Sequence, residues 1–273
     1  MSLQEWRRAQ ATSFGVAAEA YERGRPPYPD AAIDWLVPAH ATRVLDLGAG
    51  TGKLTRLLRE RGLDVIAVEP SAGMREQLRR AVPGVPVLGG KAEQLPLASG
   101  SVDAILVAQA WHWVEPSLAI PEAARVLAPG GRLGLLWNRR VEGVDWVSEL
   151  SAIMGSSRSP DAGRASPQIP APFGPVERFN VDWVHHLSPE AMIDWVASRS
   201  YVITLPEEQR QDVLGQVRRL LDDHPSVTGG DEVAIRMVTR CTRADLPGWS
   251  VVPPRQRGGI VADQAKQHRL MTA

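Results

Sequence analysis

The 273-residue chain predicts an α/β fold, a doubly wound and mostly parallel sheet with helices on both faces. Three observations lead there. Between residues 43 and 137, short apolar runs alternate with helical patterns five times, the rhythm of strands joined by crossover helices. Some of those runs, such as 64–68, are apolar almost throughout, which suits a strand buried on both faces. A third run, Val44-Leu45-Asp46-Leu47, leads straight into alternating glycines, Gly48, Gly50 and Gly52, and then into a helical pattern. Glycine serves where backbone turns sharply or approaches a ligand, because no Cβ intervenes. Such a turn between strand and helix is where α/β proteins hold nucleotide-like ligands.

The elements follow in order. Residues 4–22 place Trp6, Ala9, Phe14 and Ala17 near helical spacing. Pro26, Pro27 and Pro29 then force an extended, fixed loop, and Asp30 opens a helix to about 37. Strands are predicted at 43–47, 64–68, 85–89, 102–109 and 132–137, with helices at 52–61, 71–81 and 117–127. Residues 155–175, rich in Ser, Pro, Gly and Ala, read as a long mobile loop. A strand at 176–186, helices at 188–198 and 206–223, and a strand or helix-plus-strand at 232–242 complete the pattern. The Pro- and Gly-rich basic tail after Leu246 reads as disordered. The expected organisation is an N-terminal helical cap and lid loop (1–38), a cofactor-binding core (39–140), cap helices with the last strands (141–245) and the tail (246–273).

Composition narrows the function. A formal net charge of zero gives no global field to draw nucleic acid or a membrane surface. One cysteine, Cys241, allows no intrachain disulfide and suits a reducing cytosol. No secretory h-region and no apolar run of the roughly 18 residues a spanning helix needs is present, so a cytoplasmic protein is expected. No Cys/His cluster has metal-ligand spacing, so no metal is expected.

The glycine spacing is G-x-G-x-G, whereas the dinucleotide fingerprint is G-x-G-x-x-G. Val-Leu-Asp-Leu-Gly-Ala-Gly-Thr-Gly at 44–52 resembles the first motif of class I S-adenosylmethionine (SAM)-dependent methyltransferases. Val-Glu-Pro-Ser at 68–71, Ala92-Glu93 with Leu95-Pro96, and Arg-Val-Leu-Ala-Pro-Gly-Gly at 125–131 resemble their later motifs, in the same order. The resemblance covers about 40–140. It implies a Rossmann-like seven-stranded sheet with a helical cap, and SAM as cofactor. Tyr21, Arg25, Pro26, Tyr28 and Pro29, with the Trp111-His112-Trp113 stretch, are further similar to the subgroup of trans-aconitate and related small-molecule methyltransferases.

Candidate residues follow from that alignment of motifs. Gly48, Ala49 and Gly50 would let SAM lie against bare backbone. Glu69 with Pro70 ends the second strand, where a carboxylate can accept both ribose hydroxyls. Met74 would pack on adenine or simply fill the core, and Ala92 and Glu93 would sit at the adenine edge, unless Glu93 is a solvated acid. Asp46 would either touch cofactor or order the glycine turn. Gln109 ends the fourth strand, where open sheets place their ligands. Arg25 would bind the methionine carboxylate or an acidic substrate. Tyr28, Trp111 and Trp113 are candidates for an aromatic wall around the sulfonium. His112 is either a general base or part of the pocket wall.

The function expected is methyl transfer to a small molecule, a carboxylate or another polar metabolite, by a monomer or homodimer with no nucleic-acid partner. The alternatives are a SAM-binding regulator without turnover and, disfavoured by the glycine spacing, an NAD-dependent oxidoreductase.

Overall fold

A computed structural model describes residues 25–143, 145–154, 167–203 and 205–248. The expected helix at 4–22 with Tyr21, the loop at 155–166 and the tail from 249 lie outside the described residues.

The core half runs α1 (Asp30–Leu36), β1 (Arg43–Leu47), α2 (Lys53–Glu60), β2 (Asp64–Val68), α3 (Ala72–Ala81), β3 (Val87–Leu88), β4 (Val102–Ala108), α4 (Pro116–Val126) and β5 (Leu127–Arg140). The second half runs α5 (Asp145–Ile153), β6 (Glu177–Leu187), α6 (Pro189–Ala197), α7 (Ser200–Ile203), α8 (Glu207–Asp223) and β7 (Val233–Asp245). Seven strands form one sheet in the order β3-β2-β1-β4-β5-β7-β6. The first five are parallel, and β7 is antiparallel to both of its neighbours. The order reverses between β1 and β4, which leaves a crevice at their carboxyl ends.

Local chemistry places most boundaries. Ser71 caps α3 by accepting the Met74 N–H, and Pro116 opens α4, where a missing N–H costs nothing. The sheet buries a layer on each face. On one, Ile33 and Leu36 of α1 and Leu54 and Leu58 of α2 meet Val44, Leu106 and Leu136. On the other, Ile120, Ala123 and Val126 of α4 meet Leu45, Ile105 and Leu135. A separate apolar cluster joins α5, α6, α7 and α8 to Leu187, Val233, Ile235 and Met237. The β6–β7 hairpin therefore belongs to two cores: Cys241 and Ala244 pack in the sheet layers, and its far end packs under the cap.

Several expectations are corrected. β5 extends to Arg140 rather than ending at 137, because β7 pairs with it beyond the end of β4. Of the two readings of 232–242, the strand holds, running from Val233 to Asp245 without a helix, and α5 was not foreseen. β3 contracts to two residues. Within 167–175, part of the predicted loop, Ile169 and Phe173 are buried against the sheet, so this end of it is packed.

Candidate active site

The glycine turn closes the carboxyl end of β1. Gly48, Gly50 and Gly52 have φ of 71°, 58° and 97°, in the left-handed region that costs other residues strain. A Cβ on Gly48 would stand 2.7 Å from the Cβ of Ala110, so the turn abuts the segment after β4. The N–H groups of Gly48 and Ala49 donate to the carbonyl of Val68 at 2.8 and 3.2 Å, tying the turn to β2.

Two buried acids stand beneath it. Glu69 accepts the Gly50 N–H at 3.0 Å on Oε2 and the Ser71 N–H at 2.8 Å on Oε1. Burial raises its pKa, and the two backbone N–H bonds oppose that rise. Asp46 is fully buried and accepts the Thr55 hydroxyl at 2.6 Å on Oδ2, while its Oδ1 has no hydrogen-bond partner. Burial pushes Asp46 up to about 7; the Thr55 hydrogen bond opposes this and the nearby Glu69 charge adds to it.

The cleft beside these groups is lined by Asp46, Gly48, Ala49, Gly50 and Lys53 on the β1 side. Arg25, Tyr28, Gln109 and Asn138 line it from the loop and from β4 and β5; Trp195, Arg199 and Met237 come from the cap side. Gln109 adopts φ 58°, a strained conformation for a residue with a side chain, at the end of β4. Its Nε2 reaches the Asn138 carbonyl at 3.4 Å. The lid loop is held twice: Arg25 Nη2 donates to the Ser198 carbonyl at 2.9 Å, and Asn138 Nδ2 donates to the Pro27 carbonyl at 2.8 Å. In the cap wall, the Trp195 ring is flanked by the guanidinium carbons of Arg199 and Arg140, 5.1 and 5.6 Å from its centroid. Trp195 is 1% exposed and its Nε1 has no hydrogen-bond partner. His185 lies 6.1 Å from Trp195, edge to face; burial lowers its pKa, with Lys53 and His186 pushing the same way.

Of the residues singled out from sequence, the structure brings Arg25, Tyr28, Asp46, Gly48, Ala49, Gly50 and Gln109 to one cleft. Glu69 sits directly under Gly50. Met74 and Ala92 are buried in the core. Glu93 accepts the Glu115 N–H at 2.8 Å and so anchors the entry to α4. His112 and Trp113 occupy a 3₁₀ turn one step past Ala110, rings 4.5 Å apart, outside the cleft lining just described.

A methyltransferase-domain family model matches residues 45–135, the stretch that contains the glycine turn, Glu69 and the His112 segment. A methyltransferase of Mycobacterium tuberculosis (strain ATCC 25618 / H37Rv), itself uncharacterized, is 56% identical over 240 residues, spanning 88% of this chain and 98% of that one. The chain belongs to the SAM-dependent methyltransferases. A methyltransferase-like protein of Schizosaccharomyces pombe is 32% identical, covering 82% of this methyltransferase and 91% of its own length. A solved structure from Anaeromyxobacter dehalogenans assigned to the methyltransferases shares the fold, with a TM-score of 0.59 at 24% identity over 82% of this chain and 99% of that one.

Sequence reasoning missed Lys53, Asn138, Trp195, Arg199 and Met237 as cleft residues of this methyltransferase. Lys53 follows the third glycine and was within reach of a motif reading. The others converge from β5, β7 and the end of α6, and only the antiparallel register brings them together.

Proposed function

We propose that this protein transfers a methyl group from SAM to a small-molecule acceptor, a carboxylate or another polar metabolite, held between the glycine turn and the cap. The observation that carries the reading is the cleft itself. Gly48–Gly50 and the buried Asp46, whose Oδ1 has no hydrogen-bond partner, line it together with Trp195, Arg199 and Met237 of the cap side. The donor set fits SAM, a cation with hydroxyl, amino and carboxylate groups. When bound, SAM supplies an electrophilic methyl on a sulfonium.

The chain's own residues bind and orient. Glu69 uses one lone pair of each oxygen on backbone N–H groups, so each keeps another for a ribose hydroxyl. Met74 and Pro70 with Ala92 and Glu93 are assigned to the adenine side, and Arg25 to a carboxylate. Asp46 orders the turn through Thr55 and offers Oδ1 to a cationic or hydrogen-bonding group. Tyr28, in the cleft lining, is assigned to the aromatic wall. Trp113 and His112, on the 3₁₀ turn beyond that lining, are assigned to the wall and to a base only for an acceptor that reaches that turn, and a carboxylate acceptor needs no base. Holding acceptor and methyl in line in a cleft that excludes water is the main contribution such a site makes.

Calorimetric titration with SAM, S-adenosylhomocysteine and NAD, followed by methylation of a metabolite panel, tests this. SAM binding with turnover of an acidic or polar acceptor is the expected result. NAD binding without SAM binding would overturn it, and SAM binding without any turnover would favour a regulator.

A further inference from the structure

We propose that Asn138 is a positioning residue, the hub of a buried hydrogen-bond relay that holds the 25–29 loop, and with it Tyr28, over the cleft. The inference rests on the cofactor reading of that cleft. The relay has four members. Trp183 Nε1 donates to Thr239 Oγ1 at 2.9 Å; Thr239 Oγ1 donates to Asn138 Oδ1 at 2.6 Å; Asn138 Nδ2 donates to the Pro27 carbonyl at 2.8 Å.

Its direction is dictated by chemistry. An indole N–H only donates, so the Thr239 oxygen must accept from Trp183 and spend its own proton elsewhere. That proton goes to Asn138 Oδ1, which fixes the amide orientation and turns Nδ2 toward the loop. The loop is poor in donors because Pro26, Pro27 and Pro29 lack N–H groups. A carbonyl is what such a loop can offer, and a side-chain amide is a partner that can take it.

The sheet explains why the relay exists. Asn138 and Thr239 are a directly opposed pair of β5 and β7. Thr239 is opposite Val181 of β6, so Trp183, two residues on, is its diagonal neighbour on the same face. β4 stops at Ala108, opposite Leu136, so the Asn138 carbonyl is beyond the parallel ladder and takes the Gln109 side chain instead. Asn138 is 7% exposed and Thr239 fully buried, where a broken link leaves a polar group without water. A strand that carries the cap is thereby joined through two side chains to the loop that carries Arg25 and Tyr28.

Two measurements test this. In the first, S-adenosylhomocysteine affinity is measured for Asn138→Ala, Tyr28→Ala and the double variant. Asn138→Ala is expected to weaken binding about tenfold alone but less than about twofold once Tyr28 is removed, since a residue acting through the loop is not additive with it. Thr239→Val should follow Asn138→Ala, and Thr239→Ser, which keeps the hydroxyl, should restore wild-type affinity. Additive losses would make Asn138 a direct ligand contact, and unchanged affinity would remove its role; either overturns the proposal. The second needs no ligand. The chain has three tyrosines, so fluorotyrosine labelling gives a short spectrum in which Tyr28 is assignable by substitution. Its resonance should move in Asn138→Ala and Thr239→Val and not in Thr239→Ser. A fixed Tyr28 resonance overturns the relay even if the wild-type protein binds no S-adenosylhomocysteine, which would itself sink only the cofactor reading. If Asn138→Ala does not fold, Thr239→Val carries both measurements.

Discussion

The two walls of the cleft are built on different principles. The glycine wall is made of backbone: positive φ at three positions, N–H groups turned toward Val68 and Glu69, and two buried acids beneath a turn only a few residues long. The cap wall is made of side chains, with Trp195, Arg199 and Met237 arriving from separate elements over their own apolar cluster. A backbone wall can present one shape, and that suits a ligand that never changes. A side-chain wall can be rebuilt residue by residue, and under the proposed function that suits a half that meets a variable acceptor.

The contrast can be broken most severely at Trp195. It is 1% exposed inside the cap cluster, so Trp195→Ala should cost about 3–5 kcal/mol of stability in denaturant unfolding. A loss under about 1 kcal/mol would mean the cap wall is not packed as described. Gly48→Ala should come next. Positive φ and a 2.7 Å approach to Ala110 together should cost about 2–4 kcal/mol of stability, read in denaturant unfolding. If Gly48→Ala unfolds like the wild type, the backbone wall is softer than its geometry implies. Glu69→Ala should weaken SAM binding by about 1–3 kcal/mol, through the ribose and through the untied Gly50 N–H. Glu69→Gln, which keeps one carbonyl acceptor, should lose less.

The last expected effect is a slope. The folded-state pKa of Asp46 stands near 7, above its ordinary value, so the folded protein holds a proton that the unfolded chain has released. This contribution is fully favourable below the ordinary carboxylate range and is lost as pH rises toward 7. Asp46→Asn abolishes the titration, so any advantage the variant has in Tm at pH 8 should shrink as pH falls to 5. Paired melting curves check the sign.

The same division governs how much could be read from the chain alone. Gly48, Gly50 and Glu69 announce themselves because backbone conformation restricts residue type at a fixed spacing, and the strands at 43–47 and 64–68 emerge at their observed bounds because burial on both faces demands continuous apolar residues. Asn138 and Trp195 carry no such mark. Trp195 reads as one core residue of an amphipathic helix, and Asn138 lies beyond the predicted end of its strand, because the strand's length is set by pairing with residues a hundred positions away. α5 was missed because its pattern, Trp146, Val147 and Leu150, is short and begins right after the long strand. Local rules reach the glycine wall; tertiary register writes the cap wall.

The end of the β6–β7 hairpin has one further implication. Leu187 and Val233 face each other directly across the ladder, so the chain leaves the sheet for the cap helices at one position and re-enters at its immediate neighbour. Residues 188–232 are thus tethered at two points as close together as the ends of a tight turn. An insertion with that geometry is a natural unit of exchange: a graft that keeps the Leu187–Val233 pair carries Trp195 and Arg199 of the cleft wall with it and leaves Met237 behind in the sheet.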